Sequence, residues 1–261
     1  MKEMSAPCCP PGSAPYLEAT YKATGDVLEH DSFSAYVVGP TDSTKAVVLT
    51  PDIYGWNGGR TRAVADYFAS QGYRVVVPKL LDPPFEGGTD GDGFSGSFGE
   101  WDKFIPFMQT FNWESSFKPK FAAIKSYLQS AGVTKSACVG FCFGGYPIFK
   151  ALADSDLAGD FFVGAAVPHP SVQLDERAFG GDTVTLVAAV KQPVLLLPAG
   201  NDDAKYDLGG EWCPPNGESV RFPDQTHGWV PRGDMTNEAT ASDVAKALSL
   251  IDAFFSDKVF K

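Results

Sequence analysis

A single α/β domain, with a mostly parallel central sheet flanked by helices on both faces, is the fold class the sequence predicts. Three observations predict it. Continuous apolar runs bounded by turn residues recur along the chain, as strands buried on both faces require. Segments with helical apolar spacing alternate with them, which builds parallel strand pairs through right-handed crossovers. No repeat or linker divides the chain, and 261 residues can bury one large core.

Taken in order, residues 1–15 are rich in Pro, Cys and Gly and predict an irregular leader ahead of a domain spanning 16–261. Turn-separated β-like runs at 17–24 and 34–38 predict an antiparallel lead-in. The run 46–50 reads as a central strand and 51–59 as the loop after it. A helix is expected over 61–70, with Val64, Ala65, Phe68 and Ala69 on one face and Gly72 as its stop. Residues 73–78 form the next strand. The stretch 79–100 is long and full of Gly and Asp, and reads as a lid or flank of an active site. Its Asp90-Gly91-Asp92 resembles the start of a calcium loop, but Phe94 and Trp101 stand where oxygen ligands are needed. Helices over 101–111 and 116–131 lead to a strand at 136–140. Further strands are expected at 161–167, 193–200 and 219–223, and an amphipathic helix at 237–255 closes the chain.

Composition narrows the function. Hydrophobic content of 44% and charged content of 20% are those of a globular protein. A net charge of −11 argues against nucleic-acid partners and against anionic membrane surfaces. Residues 1–12 lack the apolar core of a signal peptide, and no run approaches the roughly 18 apolar residues of a membrane span. Five scattered cysteines suit a reducing compartment, so a cytoplasmic location is expected. Cys8 and Cys9 lack the spaced partners of a zinc site, and neither a metal nor another cofactor is expected.

The chemistry centres on residues 136–152. A β-prone run enters Gly140-Phe141-Cys142-Phe143-Gly144-Gly145, and a helix-compatible pattern leaves it. Glycines around a side chain on a sharp strand-to-helix turn let neighbouring backbones pass close by. The pattern matches the nucleophile elbow of α/β-hydrolases with sulfur replacing the serine oxygen. The following helix aims its N-terminus at the sulfur, which favours thiolate. Four strand-end loops then carry polar groups: Asp52, Cys142, Asp202 and His227. The order nucleophile, acid, base is that of α/β-hydrolases. Cys142 would attack an acyl carbon, His227 would move the proton, and Asp202 would orient His227. The Phe143 and Ile53 N–H groups would form the oxyanion hole, with Asp52, Gly140 and Gly144 in support. Alternatives stay open here: His169 for His227, and Asp203 or Asp224 for Asp202. Candidate substrate contacts are Tyr54, Trp56, Arg62, His169, Trp229 and Arg232, the two tryptophans reading as a cleft wall.

Four motifs, Asp52-Ile53-Tyr54-Gly55, the elbow, Gly200-Asn201-Asp202 and Thr226-His227-Gly228, together resemble the dienelactone hydrolase family, also called carboxymethylenebutenolidases. The Cys8-Cys9-Pro10-Pro11-Gly12-Ser13 leader looks like that of eukaryotic members, and the similarity spans essentially the whole chain. The resemblance implies the α/β-hydrolase fold, a Cys142–His227–Asp202 triad and cofactor-free hydrolysis of a small ester or lactone by a monomer or homodimer. Bacterial members carry Glu where Asp52 stands, and arginines that grip a substrate carboxylate. Here 79–100 holds no arginine, and the register after His227 falls on Pro231, with Arg232 next. Two readings from other classes compete: a ligand-binding protein without turnover, and a polysaccharide-active hydrolase, for which a Cys–His centre gives no chemical reason.

Overall fold

The structure, a computed structural model, describes residues 9–85 and 101–261. Among these residues, eight strands form one sheet: β1 (Asp26–His30), β2 (Phe33–Val38), β3 (Lys45–Thr50), β4 (Arg74–Pro78), β5 (Lys135–Gly140), β6 (Phe162–Pro168), β7 (Val194–Leu197) and β8 (Gly217–Ser219). Their spatial order is β1-β2-β4-β3-β5-β6-β7-β8. The pairs β1/β2 and β2/β4 are antiparallel, and every later pair is parallel. Residues such as Val47, Val76 and Val139 in the central strands are fully buried, which explains their unbroken apolar character.

Among the described residues, eight α-helices accompany the sheet: α1 (Thr61–Ser70), α2 (Trp101–Met108), α3 (Lys118–Ser130), α4 (Gly145–Ala153), α5 (Leu174–Arg177), α6 (Thr183–Ala189), α7 (Trp229–Arg232) and α8 (Glu238–Phe254). One face of the sheet packs against Phe121, Ile124 and Leu128 of α3, Ile148 and Phe149 of α4, and Leu186 of α6. The other packs against Val64, Ala65 and Phe68 of α1, and Val244, Ala247 and Ile251 of α8. Asn237 caps α8 by accepting from the Ala239 and Thr240 N–H groups. Helices on both faces leave only strand ends and loops for a site.

The structure corrects the sequence reading in several places. Residues 17–24 form no strand. Their polar groups turn to the α1 side, where the Tyr21 and Thr24 hydroxyls donate to Asp66. The lead-in hairpin instead uses β1, whose exposed residues carry no apolar alternation to read. The run expected at 219–223 contributes β8 at its start and a single bridge from Ala199 to Phe222. Helix α6 went unread because Thr183-Val184-Thr185 has strand propensity; the Asp182 side chain accepts from the Thr185 N–H and starts a helix there. Most of the expected lid, residues 86–100, lies outside the described residues.

Candidate active site

The site begins where β5 runs out. Cys142 has φ 52, a left-handed conformation that a residue with a Cβ rarely adopts. A single 3₁₀ turn over Cys142–Gly144 then feeds α4. The glycines around it are sterically required. A Cβ at Gly140 would stand 2.8 Å from the Gly144 backbone, and one at Gly144 would stand 2.5 Å from the Thr50 carbonyl oxygen. Thr50 Oγ1 also donates to the Gly144 carbonyl at 2.9 Å, tying the turn to β3. Cys142 is completely buried. Cys138, earlier on β5, is a core thiol that burial pushes up, as expected of an inert cysteine.

His227 sits in the loop between β8 and α7, where Gly228 takes φ 90. Its Nδ1 lies 2.6 Å from Asp202 Oδ1, with both side chains buried. Asp202 Oδ2 accepts from the Ala199 N–H at 2.7 Å, and Asn201 Oδ1 accepts from the His227 N–H at 2.7 Å. The acid loop and the histidine loop are thus held from both sides. Asp203 is occupied by the Lys205 N–H, and Asp224 is exposed, so Asp202 is the acid the structure brings to His227. Burial alone would lower the His227 pKa; the Asp202 carboxylate, followed by the sulfurs of Cys142 and Cys9, outweighs it and holds the imidazole well above its ordinary value. His227 Nε2 is buried and has no hydrogen-bond partner among the described residues.

His169, the other histidine candidate, takes φ 39 just beyond β6. Its ring stacks on Phe141 and meets His227 edge-on at 4.9 Å. It contacts the site without touching an acid. Both of its ring nitrogens are buried without hydrogen-bond partners among the described residues. Burial, then the neighbouring His227, pushes its pKa well below the usual range. A histidine held neutral in the folded state favours folding above its unfolded pKa of about 6.5, and that contribution fades as pH falls. His169→Asn is therefore expected to gain on the wild type by up to about 2 kcal/mol between pH 7.5 and pH 5. Urea unfolding of both proteins at the two pH values measures this gap; a gap independent of pH contradicts it.

Asp52, at the end of β3, accepts from Arg232 Nη1 at 2.8 Å through one oxygen and from the Tyr54 N–H at 2.9 Å through the other. Both side chains are only 1% exposed. Burial, only partly offset by the guanidinium, holds the Asp52 carboxyl above its ordinary value, and at Arg232 burial is outweighed by the carboxylate, which raises the guanidinium. A guanidinium in contact with the carboxylate keeps the pair ionised. Arg232 also lies 4.6 Å over the Tyr54 ring. Arg232, expected as a substrate contact, is held in an ion pair with Asp52 and also lines a cavity beside residues 12–17. Tyr54 stays close to the site, and Ile53 and Phe143 are fully buried beside it.

Three other candidates lie elsewhere. Arg62 stacks over Trp56 at 4.9 Å and Tyr36 at 5.1 Å. Trp56 and Trp229 belong to the core on the α1/α8 face, with Trp229 packed 4.6 Å from Phe222. Trp229 also lines, with Arg232 and residues 12–17, a cavity of about 630 Å³, whereas Cys142 belongs to the core on the opposite face.

The leader is the feature that sequence reasoning missed. Cys9 is 2% exposed, and its sulfur lies 3.6 Å from Cys142 Sγ. The Ala14 N–H donates to the His227 carbonyl at 2.7 Å, Asn201 Nδ2 to Pro11 at 3.0 Å, and the Gly59 N–H to Leu17 at 2.9 Å. Residues 9–17 therefore run across the site as a strap. Beside it opens a cavity of about 180 Å³, lined by Cys9, Pro170, Gln173, Arg177, Asp202 and Trp212. Ser171 was also missed; its hydroxyl donates to Cys142 Sγ at 3.5 Å. Nothing in the local sequence marks either contact, because each joins residues far apart in the chain.

The sheet order, the elbow and the strand-end loops define an α/β-hydrolase. Residues 33–207 match the dienelactone hydrolase family, and the chain belongs to that family. The human carboxymethylenebutenolidase homolog is 28% identical over 213 residues, covering 81% of this chain and 82% of that protein. A maize endo-1,3;1,4-beta-D-glucanase is 30% identical over 182 residues, covering 68% of this chain and 50% of that protein. Among solved structures, Est1E from Butyrivibrio proteoclasticus with bound ferulic acid superposes with a TM-score of 0.63 at 13% identity, covering 90% of this chain and 100% of that one. That likeness is one of fold. No helix among the described residues is long and apolar enough to cross a membrane.

Proposed function

We propose that this hydrolase cleaves carboxylic esters and lactones through a covalent acyl-enzyme on Cys142. The observation that carries this reading is the Asp202–His227 pair, whose unpartnered Nε2 stands with the buried sulfur of Cys142 at a left-handed elbow. Ring nitrogen and sulfur lie within 4.8 Å, a distance that catalytic contacts close on substrate binding. In this scheme the Cys142 thiolate attacks the acyl carbon, and the carbonyl electrons move to oxygen. The Phe143 and Ile53 N–H groups hold the oxyanion. Collapse expels the alkoxide, which takes a proton from the His227 imidazolium and leaves a thioester. Water, losing a proton to His227, then attacks the thioester; the acid leaves and the thiol is restored. Asp202 fixes the tautomer and stabilises the imidazolium. The name of the human relative supports a lactone among the substrates. Glycoside cleavage is less well supported, since Asp52 is paired with Arg232 and Asp202 with His227, which leaves neither carboxylate free for acid–base work on a sugar.

Mixing with excess p-nitrophenyl acetate is expected to give a burst of one p-nitrophenolate per chain, with one acetyl group on the peptide carrying Cys142. Stoichiometric binding without product release, or acetylation elsewhere, overturns the reading and favours a binding protein on this fold.

A further inference from the structure

The geometry points to a binding site for a zinc-class divalent cation formed by Cys9, Cys142 and His227, which holds the hydrolase shut while occupied. One ligand atom from each residue lies within 4.8 Å of the others, and all three residues are buried. The donors are two sulfurs and an imidazole nitrogen, a soft set that selects zinc over magnesium or calcium. Two thiolates and one histidine, with the fourth position left to water, are a known zinc ligand set.

Two details of the cluster suit a metal. The two sulfurs are 3.6 Å apart. Tetrahedral zinc with Zn–S bonds of about 2.3 Å places its sulfurs about 3.8 Å apart, whereas a disulfide needs about 2.05 Å. That separation is sulfur contact distance and also suits the edge of a zinc tetrahedron, while donors spread over 4.8 Å would close to about 3.5 Å around the ion, given Zn–S of about 2.3 Å and Zn–N of about 2.1 Å. The histidine is the second detail. Its Nδ1 is fixed on Asp202 while its Nε2 is buried and unpartnered among the described residues. A carboxylate orienting the far nitrogen is the usual support of a metal-bound histidine. Ser171, donating to Cys142 Sγ, supports one sulfur in the same way.

Binding would replace two protons, that of the Cys9 thiol and the one shared by Cys142 and His227 Nε2, with one cation, releasing both to solvent. Two thiolates then neutralise the cation inside a buried site, so no unpaired charge is left there. The ion would tie together the nucleophile, its base and the strap that covers them. Inhibition follows only if Cys142 and His227 act as proposed above; cation binding itself does not depend on that reading.

The test uses the full chain, stripped of metal and kept reduced by a phosphine. Adding Co²⁺ is expected to give thiolate-to-cobalt charge-transfer absorption that saturates at one equivalent, and Zn²⁺ should displace it. Cys9→Ser is expected to lose that absorption and to raise the zinc midpoint at least about tenfold, the least effect expected of a lost ligand. Cys213→Ser, away from the site, is expected to match the wild type. Absence of the band in the wild type, or its retention at unchanged affinity in Cys9→Ser, overturns the proposal. If esters are turned over, one equivalent of Zn²⁺ should stop turnover, and a chelator should restore it. The absorption readout stands even where turnover is absent, which separates failure of the cation site from failure of the hydrolase reading.

Discussion

Cys142→Ala is expected to lower kcat for p-nitrophenyl acetate by at least about 10⁴-fold while leaving the fold intact. The side chain it removes is the one sulfur on the left-handed elbow, and the change deletes a buried atom without adding one. Any residual rate would come from the oxyanion donors and from binding, which persist when a nucleophile is lost. Cys142→Ser probes the same atom differently. Its hydroxyl holds its proton far more tightly than a thiol, so His227 would have to remove that proton during attack. Intermediate or negligible turnover in Cys142→Ser is compatible with the mechanism. Wild-type rates in Cys142→Ala are not, and would move the chemistry to another group. Thermal unfolding of both variants beside the wild type separates lost chemistry from lost structure.

The sequence made the frame of this site legible because its signals are local. Apolar runs such as 46–50 and 136–140 can only be strands buried on two faces, and each ends in a loop at the same edge of the sheet. The glycines at 140 and 144 mark the elbow because the turn leaves no room for a Cβ. Long-range pairings were not legible. Asp202 was read as the acid from its motif, but only the positions of two loops set aside the adjacent Asp203. Arg232 looked like a substrate contact because no spacing rule joins it to Asp52, 180 residues away. Trp56 and Trp229 read as a cleft wall because both follow site residues in loops, yet both belong to the core of the far face, and only Trp229 also lines a cavity against residues 12–17. Cys9 is the clearest case. An irregular leader has no periodicity to show where it docks, and only folding brings its sulfur to Cys142.

Asp52→Asn is expected to destabilise the protein by about 3–5 kcal/mol, because it strands the Arg232 guanidinium in a site that is 1% exposed. In a chain of this size that corresponds to a fall of roughly 10 °C in Tm. Arg232→Met should cost a similar amount by the converse route, leaving the Asp52 carboxylate without its cation and removing the guanidinium from the face of Tyr54. The double variant decides between two accounts of the pair. A buried pair whose attraction mostly offsets its own desolvation predicts that Asp52→Asn with Arg232→Met costs much less than the two single changes added together. If the costs simply add, the two residues act independently, and the ion pair is not what joins the end of β3 to α7. The same cycle bears on catalysis. Asp52 is followed directly by Ile53, whose N–H is assigned to the oxyanion, and the carboxylate already holds the Tyr54 N–H. Asp52→Asn is therefore also expected to lower kcat more than it raises KM, since it loosens a donor that acts mainly in the transition state. A change confined to KM would place the pair in substrate binding instead.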